Sequence, residues 1–251
     1  MPRYFIEVSY KGTAYAGFQI QQNANTIQAE VEKALHIYFR EKIELTGSSR
    51  TDAGVHALQN FFHFNTDQCI ITVENAEKAM YHLNAILPYD IVVNAMYEVK
   101  EKAHCRFDAL SRSYQYNLYQ QKNPFLQDTA FYYPYKLNEL LMQQAASMIM
   151  EFTNFQSFAK KNTQVFTYDC TITQSQWNFL PSLICYNVTG NRFLRGMVRG
   201  LVGTMLLVGR EKINLQEFGK LIENREPSAT DFSTPAKGLS LLKVLYEQVE
   251  I

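Results

Sequence analysis

The sequence predicts an α+β protein with a mixed, mostly antiparallel sheet and flanking helices. Some segments alternate apolar and other residues, whereas others repeat apolar residues every three to four positions. In the first half the order is strand, helix, strand, strand, helix, strand, which is typical of a split β-α-β pattern. Because 251 residues exceed one average domain, we predict two lobes, residues 1–103 and 104–251.

The first lobe begins with a strand in which Tyr4, Ile6, Val8 and Tyr10 alternate. A helix over residues 26–40 follows, and the spacing of Asn25 and Gln28 resembles a capping box. Ile43 and Leu45 predict a short strand into the turn 47–57, and Phe62 and Phe64 mark the strand that leaves it. A second helix over 73–87, with Thr72 as candidate cap, and a strand over 91–99 complete this lobe.

The second lobe opens with a strand in which Tyr114, Tyr116 and Leu118 share one face. Asn138 is positioned to cap a helix that ends near residue 150. Two strands, 170–177 and 183–189, precede helices over 193–208 and 215–224. A turn-rich segment then leads to a closing strand that contains Leu239, Leu241, Val244 and Tyr246.

Composition excludes several classes of protein. Hydrophobic residues at 47% and charged residues at 19% are typical of a globular domain. The four cysteines are scattered, without zinc-finger spacing, and we expect reduced thiols. The N-terminus lacks an apolar leader, and the apolar window 201–208 is far shorter than the roughly 20 residues of a spanning helix. We therefore expect a soluble, cytoplasmic protein, and its net charge of zero gives no general attraction to nucleic acid.

The predicted helix over 193–208 has an unusual distribution of residues. At about 100° per residue, Arg192, Arg195 and Arg199 fall on one narrow stripe, beside a second stripe formed by Gly196, Gly200 and Gly203. The glycines predict that a sheet or another helix packs closely there. The arginines are either a solvated stripe or an anion site. Together with Arg210 and Lys212 they concentrate positive charge in this region, which makes phosphate contacts plausible.

The strongest local candidate for chemistry is Asp52, which follows Arg50 and Thr51 in the turn 47–57. A carboxylate held near a cation stays ionised, as a nucleophile or an electrostatic stabiliser must. The alternative is an aspartate that closes a turn ahead of Gly54, and the residues alone favour this alternative. His56 has no placed partner, which favours a structural role.

Two other kinds of residue have both a functional and a structural interpretation. His36, His63, His82 and His104 lack ligand-like spacing, so no metal site is expected. Tyr114 lies in a strand, where an aromatic ring fills a core by default or offers a face on which a base stacks.

Seven segments, in order along nearly the whole chain, resemble those of TruA-type tRNA pseudouridine synthases. They are Tyr10–Gln19, Gly47–Ala57, His104–Phe107, Arg112–Tyr116, Asn154–Phe158, Phe193–Gly209 and Pro235–Leu239. The run Arg50-Thr51-Asp52-Ala53-Gly54-Val55-His56 is highly specific for that family. The resemblance implies the pseudouridine synthase fold, with two ferredoxin-like lobes around a central cleft.

The resemblance also implies roles for individual residues. Asp52 matches the essential aspartate, Tyr114 the tyrosine that stacks on the target base, and Arg199 the basic partner of the aspartate. Arg50 matches the arginine associated with flipping the target nucleotide. We expect substrate contacts from Arg50, Thr51, Tyr114, Arg195 and Leu241. The resemblance further implies a homodimer that needs no cofactor or metal and acts on uridines at positions 38, 39 and/or 40 of the tRNA anticodon arm.

The implied reaction breaks the bond from N1 of uracil to C1′ and joins C5 to C1′, with nothing oxidised or consumed. One carboxylate can suffice, whereas most glycosidases use two and admit water. The sequence leaves open whether Asp52 attacks C1′, attacks C6 or removes a ribose proton. A catalytically silent RNA-binding protein and a nucleoside hydrolase are the alternative functions.

Overall fold

The structure is a computed structural model that describes residues 1–68, 73–160 and 165–247. Its chain forms two compact units. Unit 1 comprises Met1–Leu110 and the segment from Leu241 onward, and unit 2 comprises Ser111–Ser240. This division differs from the predicted lobes because the last strand of the chain lies beside a strand of unit 1. Cys69 and Thr72, for which we predicted a reduced thiol and a helix cap, lie outside the described residues.

Unit 1 contains the predicted order of strands and helices. Its elements are β1 (Arg3–Tyr10), α1 (Ile27–Phe39), β2 (Thr46–Gly47), β3 (His56–Asn65), α2 (Val73–Ile86) and β4 (Ile91–Val99). The last strand, β9 (Leu239–Tyr246), runs from unit 2 into unit 1 and lies next to β3. β1 pairs antiparallel with both β3 and β4, and β2 pairs antiparallel with β3. This arrangement brings the Asp52 turn to one end of β3.

Two local predictions in unit 1 are wrong. Thr26, rather than Asn25, caps α1, since its side chain accepts a hydrogen bond from the Ala29 amide. Ile43 and Leu45 do not form the expected strand, and within the segment 41–47 only Thr46–Gly47 pairs with β3. Leu45 is buried but bonds to α1 instead, because its amide donates to Glu32 and its carbonyl accepts from Gln28.

The elements of unit 2 are β5 (Ala109–Tyr119), β6 (Phe131–Tyr132), α3 (Glu139–Ile149), β7 (Ile172–Phe179), β8 (Ile184–Gly190), α4 (Met197–Gly209) and α5 (Leu215–Asn224). Of these, β5, β7 and β8 lie close to predicted strands, whereas the short strand β6 was not predicted. β8 lies between β5 and β7, antiparallel to both, while β6 pairs parallel with β5. The prediction of mixed, mostly antiparallel strands is therefore confirmed, as is the cap of α3 by Asn138.

Helix α4 begins four residues later than predicted. Gly196 at its N-terminal boundary has a left-handed backbone conformation, with φ of +77°, which a helix interior does not accommodate. The predicted close packing against its glycines is confirmed, although a loop provides it rather than a sheet or a helix. A Cβ on Gly203 would lie 2.2 Å from the Asp231 carbonyl oxygen, and one on Gly200 would lie 2.9 Å from Thr230. Within the described ranges, no helix is long and apolar enough to cross a membrane.

Candidate active-site residues in the two units

Asp52 lies in a tight turn between β2 and β3. The turn is closed by the main chain, because the Val55 amide donates to the Asp52 carbonyl at 3.1 Å. Gly54 follows with φ of +79°, a conformation that favours glycine. Arg50 is exposed, Thr51 is buried, and Asp52 is half-buried. The three consecutive predicted residues therefore differ in their access to a ligand.

The segment from Gly12 to Phe18 packs against this turn. The Phe18 amide donates to the Thr51 carbonyl at 3.1 Å, and the Gly12 amide donates to His56 Nδ1 at 3.0 Å. A Cβ on Gly12 would lie only 2.0 Å from the Val55 carbonyl oxygen, so glycine permits the close approach. His56 is buried and joins two chain segments, which agrees with the structural role favoured by the sequence.

A buried hydrogen-bond network lies beneath the turn. The Tyr10 hydroxyl contacts Thr51 Oγ1 at 2.8 Å and accepts from Asn60 Nδ2 at 3.1 Å. Asn60 Oδ1 in turn accepts from Ser48 Oγ at 2.7 Å. All four residues are buried, where such bonds are expensive to lose. The network links two strands to the residue that precedes Asp52.

Tyr114 lies on β5 in unit 2, opposite Val188 of β8. Its side chain is mostly buried, and its ring meets that of Phe193 edge to face, with centroids 5.1 Å apart and planes at 81°. Edge-to-face contacts of this kind stabilise a fixed ring orientation. Phe193 lies before α4 and helps to set the orientation of Tyr114, a contact that the sequence did not predict.

Arg199 is held in the first turn of α4 by reciprocal bonds with Thr234. Its Nε donates to the Thr234 carbonyl at 2.8 Å, and the Thr234 hydroxyl donates to the Arg199 carbonyl at 2.9 Å. Thr234 is almost fully buried, at 1% exposure. Burial raises the pKa of the Tyr116 hydroxyl, and the neighbouring Arg199 charge opposes that rise. A cation in the first helical turn adds to the positive end of the helix dipole, which favours an anionic partner.

The predicted concentration of positive charge divides into two groups. Arg192 and Arg195 precede α4, whereas Arg210 follows it and stacks over Tyr135 at 4.0 Å. The eleven steps from Arg199 to Arg210 correspond to about 16 Å along a helix. Arg195 is exposed, and its carbonyl accepts from the Lys160 amide at 3.0 Å. The single arginine stripe predicted from helical angles is therefore wrong.

Leu241 does not fit the predicted role in substrate contact. It is fully buried, with no exposed surface in the described structure. A side chain inside the core reaches a ligand only if the core opens, and opening it would expose apolar surface to water. Leu241 therefore acts by packing in this conformation.

Three side chains that the sequence did not connect lie together in unit 1. The possible metal-binding atoms of His63, His104 and Cys105 are all within 4.8 Å of one another. However, the Nδ1 atoms of both histidines accept backbone amide protons, from Cys105 at 3.3 Å and from Arg106 at 3.1 Å. A neutral imidazole that accepts at Nδ1 carries its proton at Nε2. A metal ion could bind here only if these bonds and the bond from Cys105 Sγ to the Thr46 carbonyl were exchanged.

Sequence reasoning missed the residues that support the predicted ones. Asn60 carried little signal, because it follows Gln59 in β3, and only the structure shows that it is completely buried. Thr234 carried none, since a threonine in a turn-rich segment is unremarkable. Tyr10 belongs to the strand alternation and to the segment Tyr10–Gln19, and neither feature indicates its bond to Thr51.

Comparisons with known proteins identify similar sequences over the full length of the chain. A family model described as tRNA pseudouridine synthase matches residues 6–108 and 152–247. Proteins named tRNA pseudouridine synthase A are similar. The one from Azobacteroides pseudotrichonymphae is 38% identical over 246 residues, covering 98% of this chain and 97% of the relative. The one from Porphyromonas gingivalis is 40% identical over 248 residues, covering 98% of each.

Proposed function

Because this chain belongs to the tRNA pseudouridine synthase family and is therefore an isomerase, we propose that it modifies uridines of the tRNA anticodon stem-loop. The proposed targets are positions 38, 39 and/or 40, as the resemblance implies. The observation that carries the catalytic assignment is Asp52, a half-buried carboxylate on a turn whose backbone is bonded on both sides. Such a group is accessible to a ligand but restricted in position.

The reaction makes modest demands on the protein. The bond from N1 to C1′ breaks, the base turns, and C5 bonds to C1′; C5 loses a proton and N1 gains one, so the product is an isomer of the substrate. No water enters, so the second carboxylate of a glycosidase is unnecessary. We propose Asp52 as the indispensable group. Its attack on C1′, its attack on C6 and its removal of a ribose proton all agree with this role.

Tyr114 and Arg199 complete the proposed catalytic set. The Tyr114 ring would stack on the uracil, and its orientation is supported by the contact with Phe193. Arg199 would act as the cationic partner of Asp52. The fixed position of the Arg199 Nε supports a role in orientation, because a bonded guanidinium loses little freedom when it meets an anion.

Binding of tRNA would depend on exposed cations near these residues. Arg50 lies two positions from Asp52 and is exposed, so it is placed to fill the gap left by a flipped nucleotide. Arg195 is exposed as well, beside Lys160, and would contact phosphates. Local clusters of this kind provide affinity in a chain of zero net charge. We further propose a cytoplasmic homodimer, in line with the resemblance.

The proposed function is tested by mapping pseudouridine in tRNA after incubation with the pure protein. Asp52→Asn should bind tRNA and remain folded but form no pseudouridine. Asp67→Asn is the matched control, because Asp67 is exposed and pairs only loosely with the N-terminus, at 3.9 Å. Near-normal turnover by Asp52→Asn contradicts the catalytic assignment.

Two product measurements separate the alternative functions. A silent RNA-binding protein would release no tritium from uracil labelled at C5, whereas an isomerase releases it stoichiometrically. A nucleoside hydrolase would liberate free uracil. Modification outside positions 38–40 would contradict the proposed targets but not the reaction.

A further inference from the structure

We propose that Tyr10 is a positioning residue that holds Asp52 in its reactive geometry by acting through Thr51. This inference rests on the proposed function, since it concerns the site of the same reaction. Tyr10 lies at the end of β1, 41 positions from Thr51 in the sequence. Its hydroxyl bonds both to Asn60 on β3 and to Thr51 in the Asp52 turn, so it links β1 and β3 to that turn.

The hydrogen bonds of Asn60 define how this connection is made. The Phe61 amide donates to Asn60 Oδ1 at 2.9 Å, and Ser48 Oγ donates to the same oxygen at 2.7 Å. Because a backbone amide can only donate, these contacts identify the oxygen end of the side-chain amide. Asn60 Nδ2 therefore faces Tyr10 and donates to its hydroxyl at 3.1 Å.

The Tyr10 oxygen thus contacts both Asn60 and Thr51. It receives a proton from Asn60 and shares a hydrogen bond of 2.8 Å with Thr51 Oγ1, in which either hydroxyl can donate. Whichever hydroxyl donates, removal of the Tyr10 oxygen takes a hydrogen-bond partner from two buried side chains, Asn60 and Thr51, at once. A buried network that loses one member leaves the others unsatisfied.

Thr51 transmits this constraint to Asp52 because its backbone is also fixed. Its carbonyl accepts from the Phe18 amide, and the Asp52 carbonyl accepts from the Val55 amide, both at 3.1 Å. With the Thr51 side chain bonded to Tyr10, the peptide that precedes Asp52 has little freedom to rotate. Reaction at C1′ or C6 requires a carboxylate oxygen at a defined position, and a displacement of about 1 Å lowers catalysis by about a hundredfold.

The test compares Tyr10→Phe with the parent enzyme in single-turnover assays at saturating tRNA. This variant keeps the ring, which packs 5.9 Å from that of Phe18, and removes only the oxygen. We expect at least a tenfold lower rate of pseudouridine formation, with the Kd for tRNA within twofold of the parent. A rate within twofold of the parent overturns the inference.

The matched control is Tyr246→Phe, in the same unit. The Tyr246 hydroxyl donates to the Cys105 carbonyl at 2.6 Å, and its ring packs against Phe5 and Phe61. Phe61 also borders the network through its amide, but Tyr246→Phe keeps the aromatic ring and leaves the Tyr10 hydroxyl with its bonds to Asn60 and Thr51. This control should keep the parent rate. An equal loss in both variants attributes the effect to general destabilisation and overturns a specific role.

A double-mutant cycle with Thr51→Val tests whether Tyr10 acts through Thr51. If it does, the double variant loses no more activity than the more impaired single variant. If the fold-loss of rate in the double variant equals the product of the two single fold-losses, Tyr10 acts independently of Thr51, contrary to the inference. Because the parent enzyme is assayed in parallel, an inactive parent refutes the proposed function, whereas an active parent with unimpaired Tyr10→Phe refutes only this inference.

Discussion

The Asp52 turn in unit 1 and the Arg199 helix in unit 2 hold their functional residues in different ways. Asp52 lies in irregular backbone, which is fixed by a buried network of side chains from distant strands. Arg199 lies in a helix, and Thr234 holds it through two reciprocal bonds. A turn of small residues has no repeating backbone bonds, so its conformation depends on tertiary contacts. In a helix the repeating backbone bonds already fix the main chain, so tertiary contacts need to fix only the orientation of the side chain.

After Asp52 itself, the largest effect is expected from Arg199, the proposed cationic partner of Asp52. Arg199→Ala should lower turnover at saturating tRNA about a hundredfold, which is about 3 kcal/mol of transition-state stabilisation. Arg199→Lys keeps the charge but loses the planar group and its Nε donor, and should retain an intermediate rate. A loss confined to salt-dependent binding, with normal saturated turnover, would instead assign Arg199 to phosphate contact.

The next effect concerns pH and belongs to unit 1, because all five histidines lie before residue 111. Burial lowers the pKa of His63 to about 4, and the charges of His104 and Arg3 contribute. As the pH falls below about 6.5, the unfolded chain binds a proton that the folded chain does not bind until about pH 4. The contribution of His63 to the free energy of unfolding is therefore fully present above about pH 6.5, and it is lost as the pH falls from 6.5 to 4.

This pH dependence should amount to up to about 3 kcal/mol in the free energy of unfolding. Urea titrations across that range measure it. His63→Gln should flatten the dependence, while His82→Gln, which alters an exposed histidine, should leave it in place. An unchanged slope in His63→Gln would show that other groups cause the acid sensitivity.

A smaller effect is expected from the packing that supports Arg199. In Gly203→Ala, the new methyl group would meet the Asp231 carbonyl and should destabilise the protein by about 2 kcal/mol. Thermal unfolding checks this. Gly219→Ala on α5 is the control, because its Cβ would meet only Met148 Sδ at an ordinary 3.5 Å. That change should be neutral or stabilise by up to about 1 kcal/mol, and similar destabilisation by both would exclude close packing as the cause.

The smallest effect is expected from Arg195, which is exposed and lies outside α4. Arg195→Ala should weaken tRNA binding a few-fold and reduce the slope of log K against log salt by about 0.7 to 0.9. Saturated turnover should stay unchanged. A loss of turnover that saturation does not restore would place Arg195 with Arg199 in catalysis.

Periodicity predicted most elements of both units because burial of one face imposes it locally. The alternation of β1 is an example, and β1, β4 and α5 have the predicted bounds within one or two residues. The predicted first residue of α4 was wrong, because the apolar pattern begins at residue 193 but the left-handed conformation of Gly196 prevents the helix from beginning before Met197. A pattern of residue types contains no direct information about φ.

By itself, the sequence determined the α+β class, the family through its Arg50–His56 run, and the choice of Asp52 as a candidate. Those conclusions depend on residues that are close together in the chain. Only the tertiary structure decided that Tyr10, Asn60 and Ser48 meet beneath Thr51, and that Thr234 holds Arg199. Hydrogen bonds between residues 41 and 50 positions apart depend on strand register and burial, which form only when the whole unit folds.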